Sequence, residues 1–323
     1  MISIIIPTNR VGGLDIVFDS LERQTDPDFE LILVDNIYRY RRDLVAEKAK
    51  QYSFPVRHIE PRDNPFPRVC YCRTMNTGVC HARGSVVVYE CDYTWFSPST
   101  VFYHSMWQRQ FNGPLLLDMA YCHMPPLNPR FPTDRFVHKV EPYADAAGFT
   151  QSLTEATDRY VAALDSGELD EFMWSIFAES PKSHEEVWAL PLEGTHYKNC
   201  EEGEFKDYNY CCFKNESFPT ELILNMNGHD EDYDESHAWQ DSEFSYRLRE
   251  DKVKWSCGSR ATGEIRCLNP RKVLNIKHMP KMWMYNKFLC DEIKSADKHL
   301  PVNPGFSLRE MREKTLHGFM GVL

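Results

Sequence analysis

The chain has 323 residues, enough for one large α/β domain or two smaller ones. Hydrophobic residues make up 42% and charged residues 26%, a globular balance able to bury a sizeable core. A net charge of −11 argues against whole-protein nucleic-acid binding, which calls for clustered Lys and Arg. An acidic chain can still hold a nucleotide locally, with a divalent cation between the charges.

The start, Met1 to Pro7, lacks a basic n-region and a cleavage site, and no apolar run approaches the ~20 residues of a membrane span. The expectation is a cytoplasmic chain without a transmembrane segment. The eleven cysteines are odd in number and irregularly spaced, so they read as free, buried thiols. The pairs Cys70/Cys72 and Cys211/Cys212 have the wrong spacing for a zinc knuckle.

Ile2 to Ile6 is a β-branched run stopped by Pro7 and predicts a buried strand. After the Gly12-Gly13 turn, Leu14, Val17, Phe18 and Leu21 recur at helical spacing. Phe29 to Val34 predicts a second strand, ending at Asp35-Asn36. Strand, helix and strand at this spacing form a βαβ unit with parallel strands. A helix is expected from about Arg41 to Tyr52, a strand at Val56 to Ile59, a helix at Tyr71 to His81 and a third strong strand at Val86 to Tyr89. Tyr121 to Pro142 reads as irregular surface chain, and Thr154 to Leu164 and Glu168 to Phe177 as helices. Gly194 to Tyr210 is polar and reads as loop. Helices follow near Phe218 to Asn225 and Ser242 to Glu250, then a strand at Val273 to Ile276. Alternating strands and helices predict an open, mostly parallel twisted sheet with helices on both faces and a Rossmann-like nucleotide-binding half.

In such sheets ligands bind beyond the carboxyl ends of the strands. Thr8, Asn9 and Arg10 follow the first strand, Asp35 and Asn36 the second, Glu90 and Asp92 the third. Alternate residues of an extended chain point the same way, so Glu90 and Asp92 could hold Mn²⁺ or Mg²⁺; a solvated strand end is the plainer reading. Gly228 to Glu243 is acidic throughout. Asp230, Asp232 and Asp234 fit the first ligands of a calcium loop, but Glu235 stands where its turn needs Gly and Asp241 where it needs Glu. Trp239 beside Gln240-Asp241 reads as a packed loop opening a helix, whose dipole would keep Asp241 ionised as a general base. His278, after a strand, is either structural or the completion of an oxygen-rich metal site.

These residues resemble glycosyltransferase family 2 and related nucleotide-sugar transferases of the GT-A fold. The resemblance rests on Ser3 to Arg10 with Gln24-Thr25 and Leu31 to Asp35, on Asn76 to Val79, Ala82 to Gly84 and Val86 to Asp92, on Phe213 to Phe218 with Asn227 to Glu231, and on Gln240 to Leu248. Four departures stand out: Glu-x-Asp for the usual Asp-x-Asp, Gln240 for a Glu, Asn36 for a second Asp and Met75 for Arg. The resemblance implies that Thr8, Asn9 and Asp35 hold base and ribose, with Arg68 or Arg73 near the nucleotide. It extends the donor site to Pro7, Arg10, Asn76, Glu90 and Cys91. Asp92 would bind the metal, with Glu90 on ribose or metal and His278 as a further ligand. Asp241 would be the base, with Trp188, His229, Trp239 and Gln240 on the acceptor side.

The implied organisation is a nucleotide-sugar half at 1–118, a partly helical insertion shaping the acceptor side at 119–210, a catalytic half at 211–278 and a packed tail at 279–323. The implied partners are a UDP-sugar by default and a glycan, lipid-linked or protein acceptor, with inverting transfer by single displacement and no nucleic acid. Lys277, Lys281, Trp283, Met284, Tyr285 and Lys287 give the tail either a core-packing role or peripheral membrane contact. A sugar-nucleotide nucleotidyltransferase and a non-catalytic binder of the same fold are the alternatives.

Overall fold

The computed structural model describes residues 1–9, 11–66, 70–92, 94–110, 115–118, 121–124, 158, 160–167, 173–174, 194–196, 203–204, 213–234, 240–250, 254–257, 265–268 and 302–320. Its first half alternates strands and helices: β1 (Ile2–Thr8), α1 (Leu14–Leu21), β2 (Phe29–Asp35), α2 (Tyr38–Ala49), β3 (Val56–Ile59), α3 (Tyr71–His81) and β4 (Val86–Tyr89). Then come β5 (Thr94–Phe96), α4 (Thr100–Gln110), β6 (Leu115–Asp118), β7 (Tyr121–Met124), β8 (Gly194–His196) and β9 (Gly203–Glu204). The remainder comprises β10 (Glu216–Pro219), α5 (Thr220–Asn225), α6 (Gln240–Glu250), β11 (Lys254–Cys257), β12 (Ile265–Leu268) and α7 (Leu308–Met320).

Among the described residues the main sheet runs β3-β2-β1-β4-β10-β6-β11-β9. Strands β1 to β4 pair in parallel, and β6 pairs in parallel with β11; β10 and β9 run against their neighbours. A second sheet, β5-β12-β7-β8, stands beside it. Both faces of the main sheet are covered, which is why β1 and β2 read as continuous apolar runs. Ile2, Ile4 and Ile6 pack with Val17 and Phe18 of α1 and Val45 of α2, whereas Ile5 packs with Met75 and Val79 of α3. Each fully buried aliphatic side chain contributes about 1.5–3 kcal/mol, so this two-sided burial fixes the register of the central strands.

Several expectations from the sequence are corrected. Strand β1 runs through Pro7 to Thr8, because its pairing with β4 has already ended at Ile5–Tyr89 and no ladder bond there needs a Pro7 amide. Helix α2 opens at Tyr38, earlier than Arg41. The expected helix from Phe218 starts only at Thr220, since a residue before proline is held extended and Phe218 precedes Pro219. Residues 216–219 form the antiparallel strand β10 instead, with Phe218 against Tyr89 and Phe244. Strands β7, β8 and β9 occupy stretches read as irregular. The expected strand at 273–276 and most of the helices expected within 154–177 lie outside the described residues.

The C-terminal segment is fastened to the loop after α5 by side-chain amides. Asn227 Nδ2 donates to the carbonyls of Val302 and Phe306, and its Oδ1 accepts from the Leu308 amide. Asn303 Nδ2 donates to the Asn227 and His229 carbonyls, and its Oδ1 accepts from the Glu231 amide. From the other side Asn76 bonds both the amide and the carbonyl of His229. On the far side of β10, His104 of α4 is fully buried with Nε2 2.9 Å from Asn215 Oδ1.

Gly228, at φ 74°, sits inside the amide clamp, and an added Cβ would lie 2.2 Å from Asn76 Oδ1. Gly305, at φ 87°, has open space around it. Gly228→Ala is expected to cost about 3 kcal/mol or more, against about 1 kcal/mol for Gly305→Ala, read from urea midpoints; equal losses would refute the close approach. Burial lowers the His104 pKa to about 4, against the Asn215 hydrogen bond. An unfolded histidine titrates near 6.5, so the unfolded chain binds more protons between pH 6.5 and 4 and stability falls as pH drops through that window. His104→Gln, which retains a donor for Asn215, is expected to flatten that stretch of the stability–pH curve, and an unchanged slope would refute it.

Candidate functional site

Strands β1, β2 and β4 end side by side, and their last residues form a chain of buried polar contacts. Thr8 Oγ1 donates to Asp92 Oδ2 at 2.7 Å. Arg41, from the second turn of α2, reaches back under the strand ends. Its Nε donates to Asp35 Oδ2 at 2.6 Å and its Nη2 to Thr8 Oγ1 at 3.3 Å. Asp35, Arg41, Thr8 and Asp92 are 0, 1, 4 and 2% exposed, so the order Asp35–Arg41–Thr8–Asp92 is one buried network. His58 Nε2 lies 2.8 Å from Asp35 Oδ2, and the Ile37 amide donates to Asp35 Oδ1. Burial would raise the pKa of Asp35, but Arg41 and the His58 hydrogen bond outweigh it and hold the carboxyl below its ordinary range.

Glu90 is in the opposite condition. It is fully buried, and neither carboxylate oxygen forms a hydrogen bond of ordinary geometry among the described residues. Burial pushes its pKa well up, Cys91 and buried Glu216 add to the rise, and the nearby backbone amides of Asn215 and Cys91 oppose it only in part. An orphaned carboxyl two residues from Asp92 fits a hard divalent cation, which prefers oxygen ligands. Among the described residues no group of three metal-ligating side chains converges, so a cation here would need oxygens from elsewhere.

Asp241 lies in the first turn of α6, half-buried, with Oδ1 accepting from the Ser242 amide at 2.8 Å. Burial raises its pKa, and the Ser242 bond favours the charged form. Phe244 and Leu248 anchor α6 in the core, and Glu243 pairs with Arg247, whose Nη2 is 2.9 Å from Glu243 Oε2. Tyr71, at the start of α3, lies within electrostatic reach of both Cys91 and Asp241; burial is the largest cause of its raised pKa. Gln240 is half-buried, and its Oε1 has no hydrogen bond among the described residues.

Packing engages four of the expected site residues with partners inside the fold. Asp35 is closed to solvent and held by Arg41 and His58 beneath the strand ends. Asn76 is 2% exposed and spends its amide on the 229–231 loop. His229 is 1% exposed, stacked on Phe244 at 4.4 Å and edge-on to Phe213 and Tyr89, a core ring closed to an acceptor. Arg73 directs its guanidinium to Glu231 and the Asp63 carbonyl. Pro7, Asn9 and Cys91 are partly accessible at the strand ends. Arg10, Arg68, Trp188, Trp239 and His278 lie outside the described residues.

The acidic loop is balanced internally. Arg62 Nη2 lies 2.7 Å from both Glu231 oxygens, and Asp234 Oδ1 accepts the Cys72 amide at 2.7 Å, capping α3 from across the fold.

Part of the insertion is placed on the donor half. Tyr160 Oη donates to the Asn9 carbonyl at 2.8 Å, and Tyr40 Oη to Asp165 Oδ1 at 2.8 Å. The Leu14 amide donates to the Trp174 carbonyl, and the Trp174 ring meets Phe18 edge-on at 5.0 Å. Residues 160–167 and 173–174 thus contact the segment after β1, α1 and α2. Sequence reading missed Arg41, Tyr71 and this docking; nothing in the Arg39 to Arg42 run singles out the one arginine that turns inward.

No family model matches the chain, and no curated protein matches it in sequence. Among solved structures, S. aureus TarS 1–349 superposes with a TM-score of 0.51 at 13% identity, over 99% of this chain and 70% of that one. The same protein in complex with UDP gives 0.50 at 14% identity, over 99% and 70%. Its complex with UDP-GlcNAc gives 0.50 at 12% identity, over 99% and 71%. The shared feature is the fold: a GT-A-type α/β architecture with an open, mostly parallel sheet and helices on both faces.

Proposed function

We propose that this chain is a glycosyltransferase that takes a sugar from a nucleoside-diphosphate sugar, with uridine as the default base, and passes it to an acceptor hydroxyl. The observation that carries the reading is the Asp35–Arg41–Thr8–Asp92 network at the carboxyl edge of the sheet. It stands in a fold shared with TarS, which has been solved with UDP and with UDP-GlcNAc. Thr8, Asn9, Cys91 and Asp92 would line the donor side.

Asp92, with Glu90 beside it, would hold Mn²⁺ or Mg²⁺, and a bound ion would stabilise the charge of a departing diphosphate. Asp241 would take the proton of the acceptor hydroxyl. Its partial burial and raised pKa make the carboxylate a better base than an exposed one, and the Ser242 amide keeps it oriented. A single displacement at the anomeric carbon inverts that centre. Among the described residues no helix is long and apolar enough to cross a membrane, so a lipid-linked acceptor would be met from the water side.

The test is a thermal-shift series with UDP, GDP and CDP, each with Mn²⁺, Mg²⁺ or chelator, followed by donor hydrolysis and transfer assays. Stabilisation by a nucleoside diphosphate plus metal is expected, and none with any of the three sinks the reading. Asp241→Asn is expected to cut transfer by about 100-fold or more with donor affinity nearly unchanged, and Asp92→Ala to weaken metal-dependent donor binding. An Asp241→Asn enzyme as active as wild type would remove Asp241 from its place. Product from a sugar phosphate and a nucleoside triphosphate would instead establish a nucleotidyltransferase.

A further inference from the structure

Within the network the Arg41 side chain touches three separate stretches of chain. Its Nε meets Asp35 at the end of β2, its Nη2 meets Thr8 at the end of β1, and its Nη1 meets the Met173 carbonyl of the insertion at 3.4 Å. A guanidinium only donates, and a threonine hydroxyl has one proton. Thr8 Oγ1 therefore offers Arg41 a lone pair, and its proton is left to point at Asp92 Oδ2, 2.7 Å away.

We propose that Arg41 is a positioning residue for the donor site: it sets the direction of the Thr8 hydroxyl, and through it the carboxylate of Asp92, with the docked insertion holding the guanidinium in place. The inference rests on the donor-site reading above. The planar fork is what permits it. A lysine ammonium at the same place is a single point that cannot face β2, β1 and the Met173 carbonyl in one plane. The insertion holds its own side of the arrangement. Tyr160 bonds the carbonyl of Asn9, the residue after Thr8, and the Trp174 carbonyl takes the Leu14 amide. The donor-side end of β1 is thereby fixed from both flanks.

The experiment measures UDP affinity by calorimetry in Mn²⁺, and the Mn²⁺ midpoint at fixed UDP, for wild type, Arg41→Lys, Thr8→Val and the double variant. Glu30→Gln is the control for lost stability: Glu30 is buried, bonds Ser3 and pairs with Arg57, and sits at the opposite end of the strands. Each of the two variants is expected to weaken UDP binding and raise the Mn²⁺ midpoint by about tenfold, the usual effect of removing a group that orients a metal-binding carboxylate. The double variant is expected to be no worse than the poorer single one, because both break the same relay. Glu30→Gln is expected to lose melting temperature and keep wild-type affinity. Wild-type affinity and midpoint in Thr8→Val overturn the proposal, as do losses that simply add, or a loss in Glu30→Gln as large as in Arg41→Lys. Should Arg41→Lys fail to fold, Arg41→Gln, whose amide can still donate to Thr8, takes its place in the same cycle. Wild type that binds no UDP, GDP or CDP removes the donor site itself; wild type that binds while Thr8→Val binds equally removes only the place given to Arg41.

Discussion

A guanidinium sealed beneath the ends of two parallel strands is the constraint on which the rest of the site depends. Arg41 and Asp35 are both shut off from water. Bringing two charges out of water costs nearly as much as their attraction returns, so such a pair adds little to net stability. Removing one partner is another matter, costing about 3–5 kcal/mol, because a lone charge is left in the core. The pair therefore fixes geometry more than it adds stability. It ties α2 to β2, and through Thr8 it ties both to the segment after β4. The alignment of strand ends that any ligand would meet is set from below.

A second set of polar contacts does comparable work on the other half. Asn76, Asn227 and Asn303 stitch α3, the 227–231 loop and the C-terminal segment into one unit. Arg62 and Arg73 neutralise Glu231, and Asp234 caps α3. The acidic run that looks in the sequence like a cation loop is thus spent on fold-internal partners. Glu231 and Asp234 are fixed by residues roughly 160 positions away, a distance at which no local pattern can reveal the match.

What was legible follows from the range of the interactions. Apolar β-branched runs report burial directly, so β1, β2 and β4 and the polar residues at their ends could be placed from the sequence. Asp92 and Asp241 stood out in the sequence as polar groups after a strand and at a helix start, and the resemblance gave them roles; in the structure Cys91 and Asp241 both lie within electrostatic reach of Tyr71. Side-chain fate was not legible. His229 and Asn76 carry chemistry-bearing groups, yet one ring is stacked in the core and the other amide is consumed by a loop. Arg41 has two arginine neighbours in sequence, one of them mostly exposed in a pair with Asp43, and only the helix phase relative to the sheet separates them. The antiparallel β10 was hidden for a different reason: Pro219 stops the helix from growing backwards, and a four-residue strand ending at that proline is too short to show a period.

Two buried carboxyl groups, at the ends of the strands on either side of β1, have opposite surroundings. Asp35 has its countercharge built in, from Arg41, and a hydrogen-bond partner in His58. Glu90 has none, and Glu216 beside it makes the charged form less favourable still. Burial, with Glu216 nearby, favours the uncharged form of Glu90, and the backbone amides of Asn215 and Cys91 counter it only in part. Asp92, engaged on one oxygen by Thr8, stands two residues away. The same edge of the sheet thus carries one carboxylate held charged by its partners, which braces the frame, and one carboxyl that burial drives toward its uncharged form.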